Sequence, residues 1–142
     1  MTDRILLLSH AGVTVTMVGV MWAVQLLVYP QFRSVPADSF VPYVNDHATR
    51  IVQLLALFAP LEVLLALVLF VARPGEVSAR LALLGGLLLV VAWVATGVYY
   101  APLHGELQAG GYDEALVDRL IITNWFRTAL WSARGILALS FL

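Results

Sequence analysis

The sequence predicts an all-α membrane protein: a single domain, residues 1–142, in which four transmembrane helices form a bundle with both termini on one side. Two properties of the chain predict this fold class. Hydrophobic residues occupy 61% of the 142 positions and charged residues only 12%, against about 25% charged residues in soluble domains. The apolar residues also gather into four stretches, each long enough to cross about 30 Å of hydrocarbon at about 1.5 Å per helical residue.

Turn-forming residues delimit the four predicted spans. Pro30 closes the first apolar stretch, Pro74 follows the second and Pro102 follows the third, and proline is poorly tolerated inside a helix. The first stretch is longer than the apolar core of a signal peptide, so we expect it to remain as a transmembrane helix. The predicted spans are residues 5–29, 47–71, 80–100 and 116–142, with the longer loops at residues 31–46 and 103–114.

Charge and cysteine content narrow the location and the partners. Cytoplasmic loops of membrane proteins are enriched in arginine and lysine. The shortest predicted loop carries Arg73 and is followed by Arg80, so we expect this loop and both termini in the cytoplasm, with the chain surrounded by lipid in a bacterial plasma membrane. The net charge of −1 does not favour a nucleic-acid partner, and the absence of cysteine excludes disulfides and thiolate metal sites.

The fourth predicted span carries a polar stripe. Asn124, Arg127, Trp131 and Arg134 follow one another at steps of three or four residues, which brings them to one face of a helix. An arginine at mid-membrane depth costs about 2.5–3.5 kcal/mol on insertion scales, so ionisable residues inside spans are usually functional or paired with one another. The stripe therefore indicates either a ligand-binding or catalytic site or a structural ion-pair network between helices.

One ion pair follows from helix depth. Glu62 lies deep in the second span, and Arg134 lies at a similar depth in the fourth when each residue adds about 1.5 Å. Because either charge alone is unfavourable in hydrocarbon, we predict a structural ion pair between Glu62 and Arg134.

The first span has a stripe of its own. His10, Thr14, Met17, Met21 and Gln25 recur at helical spacing. Methionine fills irregular gaps between packed helices, so the stripe indicates a seam that faces the bundle. The same residue types also suit the wall of a haem or soft-metal site, and the sequence leaves both interpretations open.

A second polar layer is expected near the loops at 31–46 and 103–114, and its charge is positive. A positive pocket favours a ligand with an anionic head, such as a carboxylate, a phenolate or an enolate. Each predicted hairpin opens its second helix with a polar residue three positions before an arginine, which predicts that Arg50 and Arg127 face one another. The predicted substrate-binding residues are Arg50, Arg127, Gln25, Tyr100 and Trp131.

Acid–base chemistry is assigned to the same layer. Histidine exchanges protons near neutral pH, and a buried amide can stabilise an oxyanion. Two histidines without a third nearby ligand do not define a metal site, so no metal is expected. The predicted catalytic residues are His47, His104 and Asn124.

The segment Asn124-Trp125-Phe126-Arg127-Thr128, followed by Trp131, resembles the closing helix of small four-helix bacterial membrane proteins related to the anthrone oxygenase family. Helix number and chain length agree with that family as well. The resemblance implies oxygenation of polycyclic anthrones to anthraquinones without a well-defined cofactor motif. It carries over to Asn124 and Arg127 only.

Together these observations predict a membrane-embedded enzyme of oxidoreductase or oxygenase type, without a cofactor, that acts on a lipophilic small molecule with an anionic or phenolic head. The alternatives are a non-catalytic haem-binding or quinone-binding protein and a small transporter or assembly factor. A homo-oligomer is compatible with each of them.

Overall fold

The computed structural model describes residues 2–74 and 77–142, and all regular secondary structure in these ranges is helical. Four helices follow one another along the chain. Helix α1 covers Thr2–Ala23 and continues through a π turn, Val24–Val28, and two short helical turns, Tyr29–Gln31 and Phe32–Ser34. Helix α2 covers Ala37–Ala72. Helix α3 covers Ala79–Ala95 and continues through a π turn, Thr96–Tyr100, into Ala101–Gly110, and α4 covers Glu114–Leu139.

Helices α1 and α3 do not end at their prolines, which corrects the predicted ends of the first and third spans. A proline inside a helix removes one N–H group and clashes with the carbonyl four residues earlier. Before Pro30 the N–H of Tyr29 donates to the carbonyl of Val24, and the N–H of Ala101, just before Pro102, donates to that of Thr96. These wider π turns let each helix pass its proline, so most of the predicted loops at 31–46 and 103–114 is helical.

The helices form a bundle in which each helix packs against two neighbours. Helix α4 contacts α1 and α3, and α2 also contacts α1 and α3. Near the start of α1, the ring of His10 lies 6.3 Å from the ring of Phe141, so the two termini meet at one end of the bundle, here called the terminal end. The connections 35–36 and 111–113 lie at the opposite end, here called the loop end.

Three of the four helices are long and apolar enough to cross a membrane: Asp3–Ser34, Ala37–Ala72 and Ala79–Gly110. Large apolar side chains such as Leu57, Val98 and Ile122 are exposed on the outside of the bundle. The three helices fit an integral membrane protein. The fourth predicted span, α4, is not among them, because its polar stripe lowers its hydropathy; that stripe is buried against the other helices.

Helix α4 approaches α1 closely at a glycine. A Cβ atom on Gly135 would lie 2.8 Å from Cγ2 of Val18 on α1, which is shorter than any ordinary carbon–carbon contact. The absence of a side chain at Gly135 therefore sets the distance between the two helices, next to Arg134 in the polar stripe.

Candidate functional site

A chain of hydrogen bonds holds Arg127 in the half of the bundle nearer the loop end. Gln25 on α1 donates from Nε2 to the carbonyl of Ile121 (3.1 Å) and accepts at Oε1 from Nδ2 of Asn124 (2.8 Å). Oδ1 of Asn124 then accepts from Nε of Arg127, one turn along α4, at 2.9 Å. Both polar atoms of the Asn124 side chain are thereby used, and the amide orients the guanidinium group of Arg127.

Two tyrosines enclose Arg127: Tyr29, which follows the π turn of α1, and Tyr100, which ends the π turn of α3. Nη2 of Arg127 donates to the hydroxyl oxygen of Tyr29 at 3.3 Å, and its Cζ lies 4.3 Å from the centre of the Tyr100 ring. Tyr100 is fixed in turn because its hydroxyl donates to the carbonyl of Thr123 (2.7 Å). Arg127 is 6% exposed, and no carboxylate of the described residues lies within salt-bridge distance of it. In the part of the chain that the structure describes, the groups that contact its positive charge are therefore neutral.

The two histidines lie beyond Tyr29. Nε2 of His104 is 2.9 Å from the Tyr29 hydroxyl oxygen, so one of the two donates to the other. The ring of His47 stacks on that of His104, with 5.6 Å between ring centres and 27° between planes. Among the described residues, neither Nε2 of His47 nor Nδ1 of His104 has a hydrogen-bond partner, although both atoms are buried. The cluster therefore has free positions for proton exchange.

A cavity of about 210 Å³ adjoins this cluster. One end is polar, where Tyr29, Tyr100, His104 and Arg127 line it. The other end is apolar, and the rings of Trp93 and Trp131 meet edge to face there at 5.6 Å. Met21 and Leu55 complete the apolar end. Such a cavity suits a molecule with one polar and one apolar end.

The predicted contact between Glu62 and Arg134 is present below the apolar end of the cavity. Oε1 of Glu62 lies 3.2 Å from Nη2 of Arg134, and both side chains are almost fully buried. Arg134 also donates to the carbonyl of Gly85 on α3 and to Oγ1 of Thr14 on α1 (3.4 Å). Nε1 of Trp131 donates to the second oxygen of Glu62 at 3.5 Å. The ion pair thus links all four helices beneath the cavity.

The stripe on α1 faces the bundle interior. All five of its residues are buried, and Met17 and Met21 pack with Trp131 in one apolar cluster. This is the geometry expected of a packed seam. In the described residues, no group of three or more His, Cys, Asp or Glu side chains is placed to hold a metal ion.

Most of the predicted second layer comes together, and Arg50 is the exception. Gln25, Tyr100, His104, Asn124 and Arg127 lie in the cluster, with His47 and Trp131 beside it. Arg50 instead lies on the outside of α2, where its Nε donates to Asp46 one turn earlier at 2.7 Å. The prediction that Arg50 faces Arg127 is wrong, because an exposed pair with Asp46 avoids burying a second positive charge beside the first.

Tyr29 is absent from the sequence-based candidates, yet it connects Arg127 to His104. The stripe on α1 contained the signal, since Tyr29 lies four residues after Gln25. Its position before Pro30 predicted the end of a helix. The π turn carries the helix onward and turns Tyr29 inward.

Comparison of the chain with family models, with curated proteins and with solved structures gives no significant match.

Proposed function

We propose that this protein is a membrane-embedded enzyme that binds a lipophilic molecule by an anionic or phenolic head and removes a proton from it as the first step of an oxidation. One observation carries the proposal: a buried arginine without a carboxylate partner among the described residues lies at the polar end of an otherwise apolar cavity. An unpaired buried charge is unfavourable, so the site favours a ligand that supplies the missing negative charge.

Arg127 binds the head in this proposal. Its guanidinium group is oriented by Asn124 and covered on one face by the Tyr100 ring. An arginine held in this way offers its remaining N–H groups to a phenolate or enolate oxygen without a large loss of side-chain entropy. Asn124 and Gln25 are then positioning residues that act through Arg127, because neither lines the cavity.

Tyr29 and His104 move the proton. The Tyr29 hydroxyl lines the cavity and is within hydrogen-bond distance of Nε2 of His104. The hydroxyl accepts the proton of the substrate while its own proton passes to the imidazole. The stacked ring of His47 lies behind His104 and is available for the next transfer. Arg127 stabilises the anion that remains on the substrate.

The oxidation that fits this arrangement uses molecular oxygen. A substrate CH₂ group next to an aromatic ring loses a proton, and the resulting carbanion is oxidised by O₂. One oxygen atom enters the product as a ketone, and the other leaves as water with the two hydrogen atoms of the CH₂ group. The chemistry corresponds to that of the anthrone oxygenase family, which the segment from Asn124 to Thr128 resembles.

Helix α4 is the fourth transmembrane span in this proposal. Its 26 residues extend for about 39 Å, which exceeds the hydrocarbon thickness of a bilayer. Its outward residues Ile122, Phe126 and Ile136 are apolar and exposed. Both termini then lie on one side of a bacterial plasma membrane, the cytoplasmic side if the arginines near the connection 73–78 decide orientation.

Replacing Arg127 by glutamine tests the proposal, and Arg50 provides a matched control. The protein is placed in lipid nanodiscs, and binding and oxidation of a lipophilic single-ring phenol with a CH₂ group next to its ring are measured. We expect Arg127→Gln to weaken binding about tenfold or more, the equivalent of about 1.4 kcal/mol, and Arg50→Gln to change it less than twofold. His104→Gln should retain binding and lose turnover. Equal effects of the two arginine substitutions on binding would contradict the proposal.

A quinone-binding protein without catalysis is the second candidate. Arg127 and the Tyr29–His104 pair offer hydrogen-bond donors at the polar end, and quinone carbonyl groups accept such bonds. The cavity volume favours a single ring over a haem macrocycle. Binding of a benzoquinone that depends on Arg127, together with no turnover of the single-ring phenol, would favour this candidate.

A further inference from the structure

The cavity has a closed end and an open side. Toward the loop end, the fully buried side chains of Phe32, Phe40 and Leu107 pack in one apolar cluster. Nε2 of Gln108 on α3 also donates to Oδ1 of Asn45 on α2 at 2.9 Å, which ties the two helices together there. A ligand therefore does not reach the cavity through the loop end.

The open side lies between α2 and α3. Two residues that line the cavity are exposed: Val52 on α2, at 62%, and Ala101 on α3. They are on neighbouring helices and mark the two edges of an opening, here called the lateral opening. The edge on α3 is apolar, since Val98, one turn before Ala101, is also exposed.

The polarity of the cavity runs along the bundle axis. Trp131 lies one turn nearer the terminal end than Arg127 on α4, and Trp93 lies three turns nearer that end than His104 on α3. The polar end therefore faces the loop end of the bundle, and the apolar end lies toward its middle. A lipid in one leaflet of a membrane has the same orientation, with its head at the surface and its tail toward the midplane.

The volume limits what the cavity can enclose. Drug-sized ligands occupy pockets of about 300–1,000 Å³, and this cavity holds about 210 Å³. A single ring and its small substituents fill it, so the remainder of a longer molecule must lie outside. The lateral opening is the apolar exit, and it leads to a surface that fits contact with lipid.

We propose that the ligand is a single-ring phenol or quinol with a hydrocarbon tail, whose ring occupies the cavity beside Arg127 and whose tail leaves through the lateral opening into the membrane. The proposal rests on the head-binding site assigned under the proposed function. It adds the substrate class and the route of entry. The tail stays in contact with lipid chains before and during binding, so it is never exposed to water.

Two probes with the same head test the tail. Binding of a decyl-substituted benzoquinol and of the corresponding methyl-substituted benzoquinol, both kept reduced under argon, is measured in nanodiscs and referred to their concentrations in the lipid. We expect the wild-type protein to bind both with affinities within about threefold of each other, since the extra carbons stay in lipid in both states. Wild-type protein that binds the methyl probe but not the decyl probe would overturn the tail proposal and leave the head site intact.

Narrowing the lateral opening gives the second measurement. Val52→Trp should weaken binding of the decyl probe about tenfold or more relative to binding of the methyl probe by the same variant. Leu57→Trp is the matched control, because Leu57 is 65% exposed on the same helix and does not line the cavity. Ala101→Phe narrows the opening from α3 and should act like Val52→Trp.

The outcomes separate the two proposals. Methyl-probe binding reports that each variant is folded and that its head site is present. If Val52→Trp and Ala101→Phe leave decyl-probe binding equal to that of Leu57→Trp, the tail does not use this opening and the inference is wrong. If the wild-type protein binds neither probe, the head-binding site itself is wrong. The same follows if the Arg127→Gln variant binds both probes as well as the wild type does.

Discussion

Two arginines of α4 are buried seven residues apart and differ in how their charge is met. Arg134 lies beside the carboxylate of Glu62, so that pair is close to neutral. Arg127 is held by Asn124, Tyr29 and Tyr100, none of which carries a negative charge. We therefore propose that Arg134 stabilises the bundle and that Arg127 binds the ligand, since among the described residues no carboxylate lies within salt-bridge distance of Arg127.

The ion pair is expected to behave as a coupled unit. Glu62→Leu or Arg134→Leu alone leaves an uncompensated buried charge and should lower the free energy of unfolding by about 3–5 kcal/mol. The double substitution removes both charges and should cost less than either single substitution. Unfolding in mild detergent, followed by circular dichroism, measures all three proteins.

An exposed ion pair provides the control for this double-mutant cycle, which consists of the two single substitutions and the double substitution. Arg33 and Asp118 lie 2.6 Å apart and are both about half exposed. Exposed pairs contribute about 0–1 kcal/mol, so leucine at either position should have little effect. Additive losses in the Glu62–Arg134 cycle would mean that the two side chains stabilise the bundle independently.

Residue identity predicted the buried pair of Glu62 and Arg134 and most of the cluster around Arg127. It did not predict that the side chain of Arg50 lies on the outside of the bundle. Glu62 and Arg134 are the deep charges of opposite sign in two predicted spans, so their pairing follows from membrane energetics. Arg50 has a carboxylate, that of Asp46, four residues earlier on the outer surface. The choice between that partner and the interior depends on which face of α2 is buried, and this becomes known only when the neighbouring helices are in place.

At the scale of the elements, the two π turns determine where the site forms. Each precedes a proline, at Pro30 and Pro102, and each brings a tyrosine to Arg127. Proline near an apolar stretch ordinarily predicts a helix end. A π turn depends on how the helix packs, so sequence periodicity alone predicted the order of the helices and placed the ends of α1 and α3 too early.

The contact between α1 and α4 is expected to be sensitive to one methyl group. Gly135→Ala would place a Cβ atom 2.8 Å from Cγ2 of Val18, and valine has little rotamer freedom in a helix. We expect a loss of about 1–3 kcal/mol in the free energy of unfolding from overpacking. Thermal unfolding in detergent measures it.

Gly19→Ala is the control for that substitution. A Cβ atom at Gly19 meets nothing within 4 Å, and alanine favours a helix over glycine by about 1 kcal/mol. The Gly19 variant should therefore be as stable as the wild type or more stable. A Gly135 variant that is equally stable would show that α1 and α4 can move apart freely.

At the scale of the whole molecule, three helices are apolar enough to span a membrane and the fourth is buried most extensively. Overall composition predicted the helical class and the membrane environment. Hydropathy cannot distinguish a helix that is polar because it lies in water from one that is polar because it faces its neighbours. The sequence pattern of α4, with polar residues on one face and apolar residues on the other, favours the second case.

Labelling of single cysteines decides between three and four spans, and the absence of native cysteine makes the measurement clean. Asp3→Cys and Leu142→Cys mark the termini, and Ala109→Cys marks the loop end. In right-side-out spheroplasts a membrane-impermeant maleimide reaches only the outer face. With four spans it should label Ala109→Cys and neither terminus, or both termini and not Ala109→Cys. Labelling of one terminus and not the other would establish an odd number of spans.

The polar partners of α4 also bear on how the protein is made. Arg134 needs Glu62 of α2, Asn124 needs Gln25 of α1, and Arg127 needs Tyr29 of α1. All of these partners precede α4 along the chain, so a ribosome has delivered them to the membrane before α4 emerges. In the four-span arrangement proposed above, the helix that is least able to enter lipid alone is therefore synthesised after the three helices that shelter its charges, so that its insertion and its docking become a single event.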